Sequence, residues 1–161
     1  TEIKGITTCL KATEAAGYEL KIAGQGALSD LGYTSTPPWA QELGYADTEM
    51  RRKLMKNARA LIIATTYLEP FGGVVVEALL SGTPIITPHF GAFAEIQNGK
   101  TGFLCHTLRE YKEAIEQAHT IDPRDCRDRG MDYSLSAVAP QFEAWFAAIL
   151  ECYTGEGWEQ L

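Results

Sequence analysis

Glu69-Pro70-Phe71-Gly72-Gly73-Val74-Val75-Val76-Glu77-Ala78-Leu79-Leu80-Ser81-Gly82-Thr83-Pro84 sets two carboxylates eight positions apart around a glycine pair, inside an otherwise apolar run. Pro70 and the two glycines mark a loop. The valine-rich segment after them is long enough for about two helical turns before Gly82-Thr83-Pro84 stops it. Residues four apart share a helix face, so Gly73, Glu77 and Ser81 form one narrow polar stripe. A carboxylate among so many apolar neighbours is costly to bury unpaired; Glu77 must reach solvent or meet hydrogen-bond donors such as sugar hydroxyls. Just upstream, Ala60-Leu61-Ile62-Ile63-Ala64 is a short apolar run of buried-strand type, and Pro84-Ile85-Ile86-Thr87 downstream is another.

The same alternation extends outward. Ile6, Leu10, Ala12, Thr13 and Ala16 fit an amphipathic helix ending at Gly17, and Tyr18 to Ala23 reads as a strand. Residues 24–43 form a loop-rich excursion with at most a short strand at its end. Asp47 is placed to cap a helix whose periodic positions are Met50, Leu54, Met55 and Ala58. Gly91 to Ile96 is a tight turn with a helical start, and Gly102-Phe103-Leu104-Cys105 a last strand. Tyr111, Ala114, Ile115 and Ala118 then share a face of a helix beginning near Thr107. A longer helix carries Val138, Phe142, Trp145, Phe146, Ile149 and Leu150, with Trp145 and Phe146 expected in a core. Strands alternating with helices imply an α/β sandwich with a parallel sheet. Ligands bind beyond the carboxyl ends of such strands, where the Glu69 loop lies.

Bulk properties exclude several classes. A chain of 161 residues, 45% hydrophobic, supports one core and one globular unit. Lys+Arg 14 against Asp+Glu 21 gives a net charge of -7, which disfavours nucleic acid and anionic membranes as partners. Cys9, Cys105, Cys126 and Cys152 are scattered without a Cys-x-x-Cys, so neither a zinc site nor a disulfide framework is expected, and reduced thiols point to a cytoplasmic location. The sequence has no apolar run of about 18 residues and no signal-peptide layout at its start. His89, His106 and His119 lack metal-ligand spacing, and Asp122, Asp125, Asp128 and Asp132 interleave with arginines as a salt-bridged exposed face does. Gly24-x-Gly26 has Ser29 where a dinucleotide fingerprint needs glycine, which argues against a dehydrogenase.

A helix opening at Gly72-Gly73 offers unpaired backbone N–H groups and the positive end of its dipole to a phosphate. With a carboxylate on each side for hydroxyls, the segment suits a nucleoside diphosphate sugar better than a bare nucleotide. Glu69 to Glu77 resembles the E-x7-E motif of retaining family-4 glycosyltransferases of the GT-B fold. Lys4-Gly5, Gly24-Gln25-Gly26, Leu43-Gly44-Tyr45, Gly82-Thr83-Pro84, Gly91-Ala92-Phe93-Ala94-Glu95-Ile96 and Asn98-Gly99-Lys100-Thr101-Gly102 resemble further segments of that family, in order, over nearly the whole chain.

The resemblance implies a Rossmann-like three-layer sandwich with a central parallel sheet, the C-terminal half of a GT-B glycosyltransferase of hexosyltransferase type. It assigns Glu69 to the donor sugar, Glu77 to the ribose, and the amides of Phe71, Gly72 and Gly73 to the diphosphate. Lys4 would offset the charge growing on the leaving group. Gly24 would line the donor site, and Tyr45 would lie by the nucleobase. The donor would be a UDP-, GDP- or ADP-sugar, with no cofactor and no metal, consistent with the lack of Asp-x-Asp. Residues 1–152 would form the donor-binding domain and 153–161 a tail that contacts the missing domain or a partner. The family's acceptor-binding domain, its diphosphate-binding arginine and most of the first strand would fall ahead of Thr1. This implies a piece of a larger protein, inactive alone, and peripheral to a membrane only through its other half. Ala92 departs from the glycine common at that position in the family. Three other readings stand beside this one: a non-catalytic glycosyltransferase-like binding or assembly module docking through Trp158, a sugar-nucleotide epimerase of the same architecture, and a Glu77 that is merely a solvated, ion-paired helix residue.

Overall fold

The computed structural model describes residues 2–152. A turn of 3-10 helix at Glu2–Lys4 leads into α1 (Ile6–Ala16), which Gly17 ends in the left-handed conformation. Strand β1 (Leu20–Ala23) follows. The excursion then carries only a 3-10 turn, Leu28–Leu31, before β2 (Ala40–Gly44). The Asp47 carboxylate accepts from the Met50 N–H at 2.8 Å and starts α2 (Thr48–Asn57), as its spacing predicts. Next come β3 (Leu61–Ile62), α3 (Gly73–Leu80), β4 (Ile85–Pro88), α4 (Phe93–Ile96) and β5 (Gly102–Cys105). Thr107 and Glu110 close a capping box at the start of α5 (Leu108–Gln117).

All strand pairings are parallel. β1 pairs with β2, Leu20 opposite Ala40; β3, β4 and β5 pair in that order, with Ile85 between Leu61 and Gly102. The α/β class with parallel strands is therefore the one the sequence implied, with the strands hydrogen-bonded in two sets. β3 is shorter than its apolar run, because the bonds from Leu61 N–H to Pro84 and from Ile63 N–H to Ile86 both face β4.

The core explains the layering. Successive strand residues point to opposite faces. Ile86 joins Cys9 and Leu10 of α1 and Tyr111, Ala114 and Ile115 of α5 in one cluster. Its neighbour Ile85, also fully buried, faces the other way, toward the side of α3. Val75, Val76, Ala78 and Leu79 form the buried face of α3, leaving Gly73 and Glu77 outward.

The arginine-rich stretch forms α6 (Pro123–Met131). Within the stretch Arg124 pairs with Asp122, and Arg129 reaches inward to donate to the carbonyls of Ile96 and Glu95 at 2.8 and 2.6 Å. Those carbonyls close a helix end, a demand that charge alternation does not encode. By compactness the chain falls into two units, Thr1–Gly130 and Met131–Leu161. The second contains α7 (Leu135–Cys152), where the Trp145 and Phe146 rings lie 4.9 Å apart, tilted by 59°, and stay 56% exposed rather than in a core. A single helix has nothing of its own on which to bury an apolar stripe. Among the described residues no helix is long and apolar enough to cross a membrane. The segment 153–161, with Trp158, lies outside the described residues.

Candidate functional site

The loop after β3 is fixed by its backbone before any side chain acts. Ile3 presents its carbonyl to the Thr66 N–H at 3.0 Å and the Thr65 hydroxyl at 2.9 Å, which brings the start of the chain to the carboxyl end of β3. From the loop after β4, the Ala92 N–H donates to the Glu69 carbonyl at 3.0 Å, and Gly91 lies flat against the Glu69 backbone. Ala92 sits in ordinary helical backbone, φ -60° and ψ -18°, so its departure from glycine causes no strain. Gly72, at φ 78° and ψ 54°, is wedged between the Phe93 ring and the Glu69 side chain; a Cβ there would stand 2.8 Å from the ring. It caps α3 without any side-chain hydrogen bond; its own carbonyl accepts from the Val75 N–H at 2.8 Å, and the cap supplies no side-chain acceptor to the N–H groups of Gly73 and Val74.

Three side chains converge at this end of the sheet. The Tyr67 hydroxyl donates to Glu69 Oε2 and accepts from Lys4 Nζ, which itself stands 3.7 Å from Glu69 Oε2 and 4.3 Å from the centre of the Tyr67 ring. The Tyr67 hydroxyl, and after it the negative charge of Glu69, raise the Lys4 pKa above its ordinary 10.5 and hold the lysine cationic. Glu69 keeps 20% of its side chain exposed, enough to accept from a ligand. Tyr67 was not singled out from the sequence. No regular spacing announces it: the chain bends at Thr66 and Tyr67, and only the fold of the loop sets the hydroxyl beside Glu69.

Glu77 stands apart from this cluster. Arg51 of α2 donates from Nε to Glu77 Oε2 at 3.0 Å and from Nη2 to Oε1 at 3.5 Å, and its Nη1 reaches the Ala46 carbonyl at 3.3 Å. The carboxylate is therefore ion-paired on an open surface, 46% exposed. A cleft of about 1190 Å³ has Lys4, Gly24, Arg51, Glu69 and Gly72 among its walls. Tyr45, Phe71, Gly73 and Glu77 are not among its walls; Tyr45 follows β2 and is 71% exposed, and Phe71 is 49% exposed. The structure thus gathers Lys4, Gly24, Glu69 and Gly72, and joins Glu77 to them only through Arg51. His89 and His106, after β4 and β5, stack ring on ring at 3.5 Å. Among the described residues no group of three or more His, Cys, Asp or Glu side chains is placed to hold a metal ion.

Comparison with known proteins gives the family of the chain. Residues 2–120 match the family model described as glycosyl transferases group 1. The phosphatidyl-myo-inositol mannosyltransferase of Propionibacterium freudenreichii is 28% identical over 157 residues, 92% of this chain and 40% of that protein. The D-inositol 3-phosphate glycosyltransferase of Corynebacterium aurimucosum is 31% identical over 100 residues, 56% of this chain and 24% of that protein. Among solved structures, the fold resembles AviGT4, a glycosyltransferase of avilamycin A biosynthesis, with a TM-score of 0.79 at 19% identity over 94% of this chain and 49% of that one. It also resembles Anabaena HepE, solved with UDP and glucose, with a TM-score of 0.75 at 17% identity over 92% of this chain and 46% of that one. The chain spans less than half the length of these relatives. On the match over most of its residues, and on the GT-B architecture that it shares with them, the chain belongs to the group 1 glycosyl transferases.

Proposed function

We propose that residues 1–152 are the donor-binding domain of a retaining, metal-independent glycosyltransferase that moves a sugar from a nucleoside diphosphate to an acceptor. The observation that carries the reading is the cluster at the carboxyl end of β3, where Lys4, Tyr67 and Glu69 meet beside the uncapped start of α3. In this reading the α3 amides at Phe71, Gly72 and Gly73 receive the diphosphate, Glu69 accepts from sugar hydroxyls, and Lys4 offsets the charge that develops as the glycosidic bond breaks. Glu77 takes the ribose by exchanging part of its ion pair with Arg51 for hydroxyl donors, with Gly24 and Tyr45 nearer the base. Retention follows from attack on the face that the diphosphate leaves. That HepE was solved with UDP and glucose, and the pneumococcal transferase GtfA with UDP and GlcNAc, makes a UDP-sugar the first donor to try, ahead of GDP- and ADP-sugars. The acceptor is held by a further domain of the same protein or by another subunit, so this chain alone does not turn over; its place is the cytoplasm, at a membrane only through that further domain.

Calorimetric titration with UDP, GDP, ADP and their sugars tests the reading. Glu77→Gln is expected to weaken nucleotide binding, and Glu69→Gln to weaken nucleotide-sugar binding more than nucleotide binding. No binding of any nucleotide to folded protein would sink it. The Arg51–Glu77 pair favours a second reading, a non-catalytic glycosyltransferase-like module, because a carboxylate already satisfied by an arginine needs no ligand. Under that reading Glu77→Gln changes stability and leaves nucleotide binding untouched.

A further inference from the structure

We propose that a depression at the amino ends of β1 and β2 is a second ligand site, one that holds a neutral pyranose unit of a glycan. The depression has a volume of about 490 Å³ and is lined by Glu14 and Gly17 at the end of α1, Tyr18 and Glu19 ahead of β1, and Pro38 and Trp39 ahead of β2. That volume lies within the range of roughly 300–1,000 Å³ usual for small-molecule sites. At about 3.3 Å per residue, the length of β1 puts it on the order of 15 Å from the loops at the carboxyl ends of the strands. One sugar cannot touch both places, so the proposal is separate from the donor reading and does not depend on it.

The walls are held by backbone. The Gly17 N–H donates to the Glu14 carbonyl at 3.0 Å and the Tyr18 N–H to the Thr13 carbonyl at 3.2 Å, which fixes the turn out of α1. The Leu20 N–H donates to the Trp39 carbonyl at 2.8 Å and joins the two stretches of wall. Arg59 lies over the Tyr18 ring, 4.5 Å from its centre, and is itself held by the carbonyls of Ile115 and Glu116 at 2.9 and 2.7 Å. The aromatic wall is therefore in place before a ligand arrives, and binding does not have to order it.

The polar groups of the walls define the ligand. The Trp39 Nε1–H is buried with no acceptor, a condition that costs about 1–3 kcal/mol. The carboxylates of Glu14 and Glu19 are exposed and have no hydrogen bond or ion pair among the described residues. An anion would give Trp39 its acceptor but is repelled by both glutamates. An ammonium or guanidinium group would pair with the glutamates but has no acceptor to offer Trp39. A hydroxyl serves both, because it donates and accepts. The C–H face of a pyranose ring is apolar and packs on the rings of Tyr18 and Trp39, each an apolar body with a polar tip. A neutral polyol with an apolar face is thus the ligand class that answers all of these groups.

The test follows the indole N–H resonances of the isotope-labelled full chain by NMR, with that of Trp39 identified by its absence from Trp39→Phe, during titration with maltotriose, cellotriose and mannotriose. A saturable shift of the Trp39 indole is expected with at least one of them, undisturbed by UDP. Glu14→Ala and Glu19→Ala are each expected to weaken that binding at least about tenfold, the loss that one hydrogen bond to a charged group implies, and to leave UDP binding unchanged. No saturable shift in folded protein with any of the three saccharides would overturn the proposal. A larger response to lysine amide would give the depression to a cationic group, and one to glucuronate to an anion; either would overturn the assignment. Displacement of the saccharide by UDP would move the binding to the donor site and overturn it as well, whereas a failure of UDP to bind would sink the donor reading and leave this site standing.

Discussion

Gly5→Ala and Gly17→Ala form a matched pair that measures how tightly the start of the chain is held against β3. The two glycines flank α1 and share one backbone conformation, φ 71° and ψ 28° against φ 73° and ψ 31°. They differ in their surroundings. A Cβ on Gly17 meets nothing within 4 Å, while a Cβ on Gly5 would stand 1.8 Å from the Ala64 carbonyl oxygen and 2.3 Å from its carbon. Alanine in the left-handed region costs about 1–2 kcal/mol at either place. Its restriction of the unfolded chain offsets about 0.4–1 kcal/mol of that. Gly17→Ala should therefore cost about 1 kcal/mol. Gly5→Ala must also push two backbone segments apart, and overpacking of that kind adds about 1–3 kcal/mol.

Subtracting one loss from the other cancels the backbone and unfolded-state contributions. A difference of about 2 kcal/mol remains, about thirtyfold in the folding constant. Urea unfolding of the two variants and the parent, read at a common slope, gives it directly. Equal losses would refute the reasoning, since only the contact with Ala64 distinguishes the sites. Lys4 lies between Ile3 and Gly5, both anchored on this stretch, so Gly5→Ala should also weaken nucleotide-sugar binding where Gly17→Ala does not.

Tyr67→Phe removes the hydroxyl that chiefly raises the Lys4 pKa, so NMR titration of the Lys4 ammonium should show its pKa falling back toward 10.5; an unmoved titration would remove Tyr67 from the cluster. Asp47→Ala deletes the cap on Met50 and should cost about 1 kcal/mol in urea unfolding, with loss of less than a few tenths counting against the cap. Burial pushes the thiols of Cys9 and Cys105 up to about 12 and that of Cys126 to about 11, while Cys152 is exposed. Native protein should then give one fast thiol with a disulfide reagent at pH 8 and four on unfolding. A thiol whose native pKa lies above its unfolded value contributes stability that is complete below pH 9 and declines as pH rises toward the native value. Lys4, also raised, declines in the same direction above 10.5, so thermal midpoints should fall steadily on the alkaline side. A flat profile from pH 9 to 11 would contradict the burial of these groups.

What could be read from the sequence is what short range decides. The caps at Asp47 and Thr107 act on groups three residues away, and both helices start where those residues put them. The apolar face of α3 and its outward Gly73–Glu77 stripe follow from helical spacing alone. Trp145 and Phe146 show the limit: their spacing specifies a helix face, but burial needs a second surface that spacing does not supply. The length of β3 shows it again, since a strand is counted by its partners and one of its edges has none among the described residues.

Glu77 is the instructive case, because the need for a partner was legible and the partner was not. Arg51 is 26 positions away, on another helix. Its position is set by a bond that no local pattern announces: the buried Thr83 hydroxyl donates at 2.6 Å to the carbonyl of Met55, tying the last turn of α2 to the segment that ends α3. Arg51 and Met55 are four apart and share a face of α2. Once Met55 is held there, Arg51 is brought one turn back, level with Glu77. The Thr83 in Gly82-Thr83-Pro84 thus has a second task besides ending a helix: it orients the arginine that any ribose at Glu77 must displace or join. Thr83→Val removes the hydroxyl at nearly constant shape; the Met55 carbonyl keeps the Ala58 N–H at 3.0 Å, so the loss is that of one hydrogen bond, about 0.5–1.5 kcal/mol. If α2 is positioned by this bond, the Arg51–Glu77 pair loosens as well, and Arg51→Ala should then cost less in the Thr83→Val background than in the parent. Equal costs in the two backgrounds would mean that the packing of α2 on α3 aligns the pair without help from Thr83.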